Sequence, residues 1–452
     1  MSTPRSRLYR AEWVLPVSSR PLRRGALLVD GRGRIAAVGP EFAIEPPDGC
    51  EIVELGNAVL LPGLVNVHAH PELAMFRGAL EDLAFRDWIL RLVGGRRRVL
   101  DDDDFRAAAI WTCVESMRGG VTTLAATEAS GAAAAAMAEL GMRGTAYLEI
   151  FGPDPSQAAP AIESFRVSLR ELRRFESDLV RIGISPHAPY TVSDELYREA
   201  ARLARAEELP MALHIAESVA ERRLVQHGDG DFAPGLNARG IATPPRASSP
   251  VALLHHLGVL EVRPLLIHCV DLDPDDFSRI AESGSTVGHC PVANARLGHG
   301  LAPVNRLRAM GVAVGIGTDS VGANNRLDLL EEARIASLLQ RAALHSHNAL
   351  PADELLRLCT LEGARALGLD ARIGTLEPGK DADLCAVSLE GQHVRPVHDP
   401  VAALFHAARA SDVVMTVVRG RVIYRGGDES GPSAERAFAR VEEAAERLRT
   451  PT

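Results

Sequence analysis

Eight apolar stretches, separated by amphipathic segments, leave this chain few architectures to choose from. They fall at 59–70, 121–127, 144–151, 180–186, 211–216, 265–269, 285–289 and 312–318. Each is short and rich in aliphatic residues, the texture of a strand buried on both faces. Between them, stretches such as 105–118, 193–207, 275–283 and 327–344 carry apolar residues at helical spacing. Strand then helix, repeated eight times, predicts an α/β fold, the (β/α)8 TIM barrel, whose chemistry sits at the C-terminal ends of the strands. A doubly wound open sheet is the runner-up. It lacks support, because no Gly-x-Gly-x-x-Gly follows a strand.

The flanks read differently. Short alternating runs at 8–16, 26–30, 34–38, 374–387 and 413–424 are broken by glycine-rich turns. Residues 1–58 and 368–430 are therefore expected to combine into one small β-sandwich, outside a barrel at 59–367. Residues 431–452 read as a closing helix, and 228–250, rich in Gly, Pro and Ser, as an active-site loop. A net charge of -9 argues against a nucleic-acid partner. No apolar run is long enough to span a bilayer, and no apolar core follows the basic N-terminus, so a cytoplasmic protein is expected. The six cysteines show no Cys-x-x-Cys pair and fit a reduced compartment. Large barrel enzymes often associate, which leaves room for a homodimer.

The strand ends carry the chemistry. His68 and His70 close the first stretch, and on a strand residues i and i+2 share a face, so both imidazoles aim at one point. Alone the pair is weak. His187 then ends the fourth stretch, His214 lies in the fifth with Glu217 three residues on, and His268, His289 and Asp319 follow the sixth, seventh and eighth. Each histidine taken singly is as easily a core or rim residue. Together, six of eight expected strand ends carrying His or Asp point to metal chemistry and a small-molecule substrate.

His68, His70, His214 and Asp319 supply the nitrogen and oxygen ligands that a catalytic zinc needs, with His268 left for a fifth contact or for the bound water. A bridged two-metal site would call on a carboxylated lysine. The chain's single lysine, Lys380, lies in the expected sandwich, so one divalent ion per subunit is expected, Zn2+ or Fe2+ on the same ligands. Such an ion lowers a water's pKa from about 15.7 toward about 7. Glu217 stands where it could move protons to a ring nitrogen and a leaving group, and Asp319 and His268 complete the catalytic set. As an ordinary helix-start residue Glu217 would merely offset the macrodipole.

These residues resemble the amidohydrolase superfamily, in its metal-dependent aminohydrolase branch. The motifs are Pro-Gly-Leu-Val-Asn-Val-His-Ala-His at 62–70, Phe-Arg-Gly at 76–78, Pro-His-Ala-Pro-Tyr at 186–190 and His-Ile-Ala-Glu at 214–217. His-Cys-Pro at 289–291 with Asn294, Gly-Thr-Asp-Ser at 317–320 and Pro-Gly-Lys-Asp-Ala-Asp at 378–383 continue the match along nearly the whole chain. The resemblance implies the barrel, the sandwich built from both termini, hydrolytic deamination of amino-substituted rings, His187 as a ring contact and His268 as a water contact.

Within the branch, residues 185–193 look like deaminases of methylthioadenosine and S-adenosylhomocysteine. Those enzymes follow a Trp, matched here by Trp88, with a Glu that holds the ribose; here that position falls within Gly94–Arg98, which departs from the pattern. Ala293, before Asn294, is a second departure. His-Pro-Glu72, the spacing from Trp88 to Arg97, and Glu221 look closer to aminodeoxyfutalosine deaminases. An arginine cluster would suit that substrate's carboxylate; a solvated helix end accounts for Arg96–Arg98 equally well. The expected substrate contacts are thus His187, Trp88, Glu72, Arg97 and Asn294, and aminodeoxyfutalosine is the expected substrate. A nucleoside deaminase of the methylthioadenosine type, a guanine deaminase, a triazine chlorohydrolase and a non-catalytic barrel are the alternatives.

Overall fold

The computed structural model describes residues 5–427 and 431–449, apart from the side chains of Arg97 and Arg98. Eight parallel strands form the barrel: Leu64–Ala69, Val121–Glu128, Arg143–Ile150, Val180–Pro186, Ala212–Ile215, Leu265–His268, Thr286–His289 and Val314–Ile316. The first four make one parallel ladder and the last four another. Ile184 bridges to Met211 at one seam. At the other, the Thr318 and Asp319 amides both donate to the His68 carbonyl at 3.0 Å. Asn66 reinforces that seam, its Nδ2 donating to Thr318 Oγ1 at 2.8 Å while its Oδ1 accepts from the Thr318 amide at 3.2 Å. The strands are buried along nearly their whole length, as their unbroken apolar runs require.

The stretch 59–70 is two strands rather than one. Ala58–Pro62 pairs with Leu384–Ser388 and Arg7–Val14, outside the barrel, and the barrel begins only at Leu64. Proline offers no ladder donor, which suits Pro62 to a strand end. Gly63 then turns where a Cβ would stand 2.2 Å from the Thr122 side chain, so only glycine passes between the two sheets. The boundary expected at 59 therefore moves to 64.

The flanks join in one eight-stranded sheet. Its order is Arg421–Arg425, Val413–Val418, Leu384–Ser388, Ala58–Pro62, Arg7–Val14, Leu22–Val29, Ile35–Pro40, with Glu51–Glu54 beside Arg7–Val14. Tyr9, Leu27 and Ile35 share a single apolar core with Leu384, Met415 and Val417, so the sheet curls over its own interior. Arg143, in the third barrel strand, fastens it: the guanidinium is 1% exposed and meets Asp381 at 2.9 Å and Asp383 at 2.7 Å. Helix Pro432–Arg449 packs on Asp102–Arg118 instead of on the sheet, with Arg440 and Arg447 gripping Asp104 at 2.9 and 2.5 Å. No helix among the described residues is long and apolar enough to cross a membrane.

Candidate metal centre and active site

The strands end abruptly at the site. Ala216, His268, Cys269 and Asp319 take left-handed φ values of 52, 76, 47 and 58°. Such values are uncommon outside glycine and are held in place by their surroundings. Around Ala216 those surroundings are visible. Glu221, in the first turn of Val219–His227, accepts from the Ala216 amide at 2.8 Å and the Glu217 amide at 2.9 Å. Burial pushes the Glu221 carboxyl up to about 8, the two amide bonds working against it.

Four of the expected ligands converge. His70 and His214 bring their Nε2 atoms to 3.3 Å with rings only 10° from parallel. Asp319 Oδ1 lies 3.6 Å from His68 Nε2 and 3.7 Å from His70 Nε2. Burial pushes His70 and His214 well below the ordinary histidine value, leaving neutral rings with a free lone pair, the form that binds metal. Asp319 is held ionised: burial would raise its pKa, but the neighbouring histidines, His68 first, outweigh that and lower it. His68 Nε2 is buried without a hydrogen-bond partner. A buried polar atom in that state calls for an explanation, and a divalent ion among these four donors provides one. The donor set fits a metal.

Glu217 stands beside this cluster, 4% exposed. Its Oε1 is 3.5 Å from His268 Nε2 and 3.3 Å from His299 Nε2. Burial alone would raise its pKa, but His268 and His299 outweigh that and hold it below the usual glutamate value. His268 in turn places Nδ1 2.9 Å from Asn294 Oδ1. Asn294 therefore orients His268 from below instead of reaching into the open site. His289 is buried with both ring nitrogens unpartnered, pushed down to about 3 by burial.

His187 closes one side of the pocket, its Nδ1 2.7 Å from Thr191 Oγ1 and its ring 5.1 Å from Phe151. Burial pushes it down to about 4. Behind it lies Glu149, on the third strand, 3.8 Å from His187 Nε2 and pushed up to about 8 by burial.

Two expected substrate contacts, Glu72 and Trp88, are engaged within the protein. Glu72 is fully buried and accepts from the Ala129 and Ser130 amides at 3.3 and 3.2 Å, from Ser130 Oγ at 2.7 Å and from Arg96 at 2.5 Å. With its acceptors engaged by protein donors, it pins the loop after the second strand to helix Phe85–Val99. Trp88 donates its Nε1 to the Gly322 carbonyl at 3.2 Å and fastens the same helix across the mouth of the barrel. The Arg97 side chain lies outside the described residues. The 228–250 loop contributes Phe232, stacked on Tyr190 at 4.2 Å, which in turn lies 5.6 Å from His187.

The sequence reading passed over His299 and Glu149. His299 lies in a Gly-His-Gly turn with no periodicity to mark it. Glu149 ends a strand with one isolated carboxylate, and burial alone reveals it.

The profile of the Amidohydrolase family matches residues 59–423. A 5-methylthioadenosine/S-adenosylhomocysteine deaminase from Moorella thermoacetica is 32% identical over 95% of this chain and 96% of its own. A 5'-deoxyadenosine deaminase from Methanothermobacter thermautotrophicus is 33% identical over 90% of this chain and 91% of its own. The crystal structure of an adenosine deaminase from Xanthomonas campestris with bound zinc superposes with a TM-score of 0.88 at 28% identity, covering 99% of each chain.

Proposed function

The chain belongs to the amidohydrolase family, a hydrolase of carbon–nitrogen bonds, and from that premise we propose that it deaminates an adenosine-type nucleoside to the 6-oxo product, releasing ammonia. One observation carries this reading: a buried Glu217 carboxyl beside four converging metal donors. Halide leaves without help, whereas an amino group must be protonated first, and a carboxylate on the reacting face meets that need. The names of the relatives support the same substrate class.

His68, His70, His214 and Asp319 would hold the ion, zinc being the ion bound in the Xanthomonas structure. When bound, it supplies an acidified water at neutral pH. Glu217 moves two protons in turn: one from the attacking water to the ring nitrogen, then one from the new hydroxyl on the tetrahedral carbon to the amino group, so that C=O forms as the C–N bond breaks and ammonia leaves. His268, kept neutral by burial and oriented by Asn294, holds the attacking oxygen in place. His187 meets the purine ring, and Phe85, Tyr190 and Phe232 wall out water.

The finer reading, aminodeoxyfutalosine, rests on a carboxylate partner among Arg96–Arg98. Arg96 is already paired with Glu72 and lies over Phe105, 5.1 Å from its centroid, which removes one of the three. A 5'-modified adenosine is the substrate class this leaves in front. Ammonia release from methylthioadenosine, S-adenosylhomocysteine, 5'-deoxyadenosine, adenosine, aminodeoxyfutalosine, guanine and atrazine tests the reading. Turnover confined to guanine or atrazine would reject it.

A further inference from the structure

His299 is absent from every expected ligand and contact set, yet it is one of two histidines that touch Glu217. Its Nε2 lies 3.3 Å from Glu217 Oε1, its side chain is 3% exposed, and that nitrogen has no aligned hydrogen-bond partner. Catalytic hydrogen bonds are commonly long or misaligned before substrate arrives. The loop holding it is anchored, the His299 amide donating to the Asn294 carbonyl at 2.9 Å. Its ring stands edge-on to Phe85, 4.4 Å between centroids, at the start of helix Phe85–Val99.

The second histidine cannot do the same work. With Nδ1 facing the Asn294 oxygen, neutral His268 carries its proton on that nitrogen and presents a bare Nε2 to Glu217. Two acceptors face each other there, and only a water or substrate hydrogen can join them. His299 is the group able to donate to Oε1 directly.

We infer that His299 is a positioning residue for Glu217. Its Nε2–H occupies Oε1 and turns Oε2 toward the water and the leaving amino group, while Phe85 holds the ring edge-on. Glu217 then carries its transferred proton on Oε2, and His299 neither gains nor loses one. The inference rests on the deaminase reading for its kinetic consequence but not for the contact itself.

The test uses the intact, metal-loaded protein with the substrate that the panel identifies. H299L removes the donor while keeping an apolar contact to Phe85; H299Q restores an N–H donor. H299L is expected to lower kcat about 10- to 100-fold with KM within about twofold, and H299Q to recover most of the loss. Metal content and melting temperature should stay at wild-type levels. A rise in KM with unchanged kcat, or equal activity in all three proteins, overturns the inference. Should no substrate be turned over at all, the functional reading fails, and the contact is tested separately. In protein labelled with nitrogen-15 at histidine, E217Q should move the His299 imidazole resonances; unmoved resonances overturn the inference.

Discussion

His70, just past the first barrel strand, and His214, in the fifth, come from different ladders, yet their Nε2 atoms stand 3.3 Å apart with rings 10° from parallel. His214 Nδ1 lies 3.3 Å from the His187 carbonyl, which places the ring proton there and leaves Nε2 as a bare acceptor facing His70. The arrangement makes sense around a shared cation, which also accounts for the buried, unpartnered Nε2 of His68.

Removing one donor should therefore empty the site. His68→Ala is expected to lower metal content by at least about tenfold, since even outer partners of ligands are worth 10- to 100-fold. Mass spectrometry of dialysed protein measures it. Full occupancy in the variant would rule His68 out as a ligand.

Glu217→Gln separates proton transfer from metal binding. Glutamine keeps the size and the contacts to His268 and His299 but cannot carry the proton. Turnover should fall by about 10²- to 10⁴-fold with metal content unchanged. Loss of metal together with activity would instead make Glu217 part of the ion's support.

How much of this could be read without coordinates follows from what each residue depends on. His68, His70, His187, His214, His268 and Asp319 sit at or just past the ends of barrel strands, so strand periodicity and chain order place them together. Glu72 and Trp88 sit in or before helix Phe85–Val99, where side-chain direction is set by loops distant in sequence; Glu72 turns to Ser130 and Trp88 to Gly322. The break at Gly63 was hidden because apolar residues continue through it. What ends the strand there is the Thr122 side chain, which the local sequence does not report.

Arg143 should prove costly to lose. Its guanidinium spans Asp381 and Asp383 in the buried seam between barrel and sheet, and Arg143→Met would leave two carboxylates without it. Breaking a buried pair from one side typically costs about 3–5 kcal/mol. Arg372, 2.7 Å from Asp381, and the Arg419 amide, 2.8 Å from Asp383, soften that toward the lower end. Denaturant unfolding followed by circular dichroism measures the loss. A change below about 1 kcal/mol would mean the two units are held by apolar packing instead.

Stability should also depend on pH through Glu128. Its carboxyl accepts from the Ala133 and Ala134 amides at 2.6 and 3.2 Å, capping helix Ala132–Leu140 from within the core. Burial, with Glu72 adding its charge, nonetheless pushes it up to about 8 from the ordinary 4.5. The unfolded chain releases this proton near the ordinary value, while the folded chain keeps it until about 8. Between those values the folded state binds more protons, so the contribution is complete below the ordinary value and is lost as pH rises to about 8. The melting temperature of the metal-loaded protein should accordingly decline from pH 5 to pH 8. Glu128→Gln, neutral throughout, should flatten that slope even if it lowers the absolute melting temperature. An identical slope in the variant would assign the pH dependence to the other buried acids, Glu149 and Glu221, which burial also pushes to about 8.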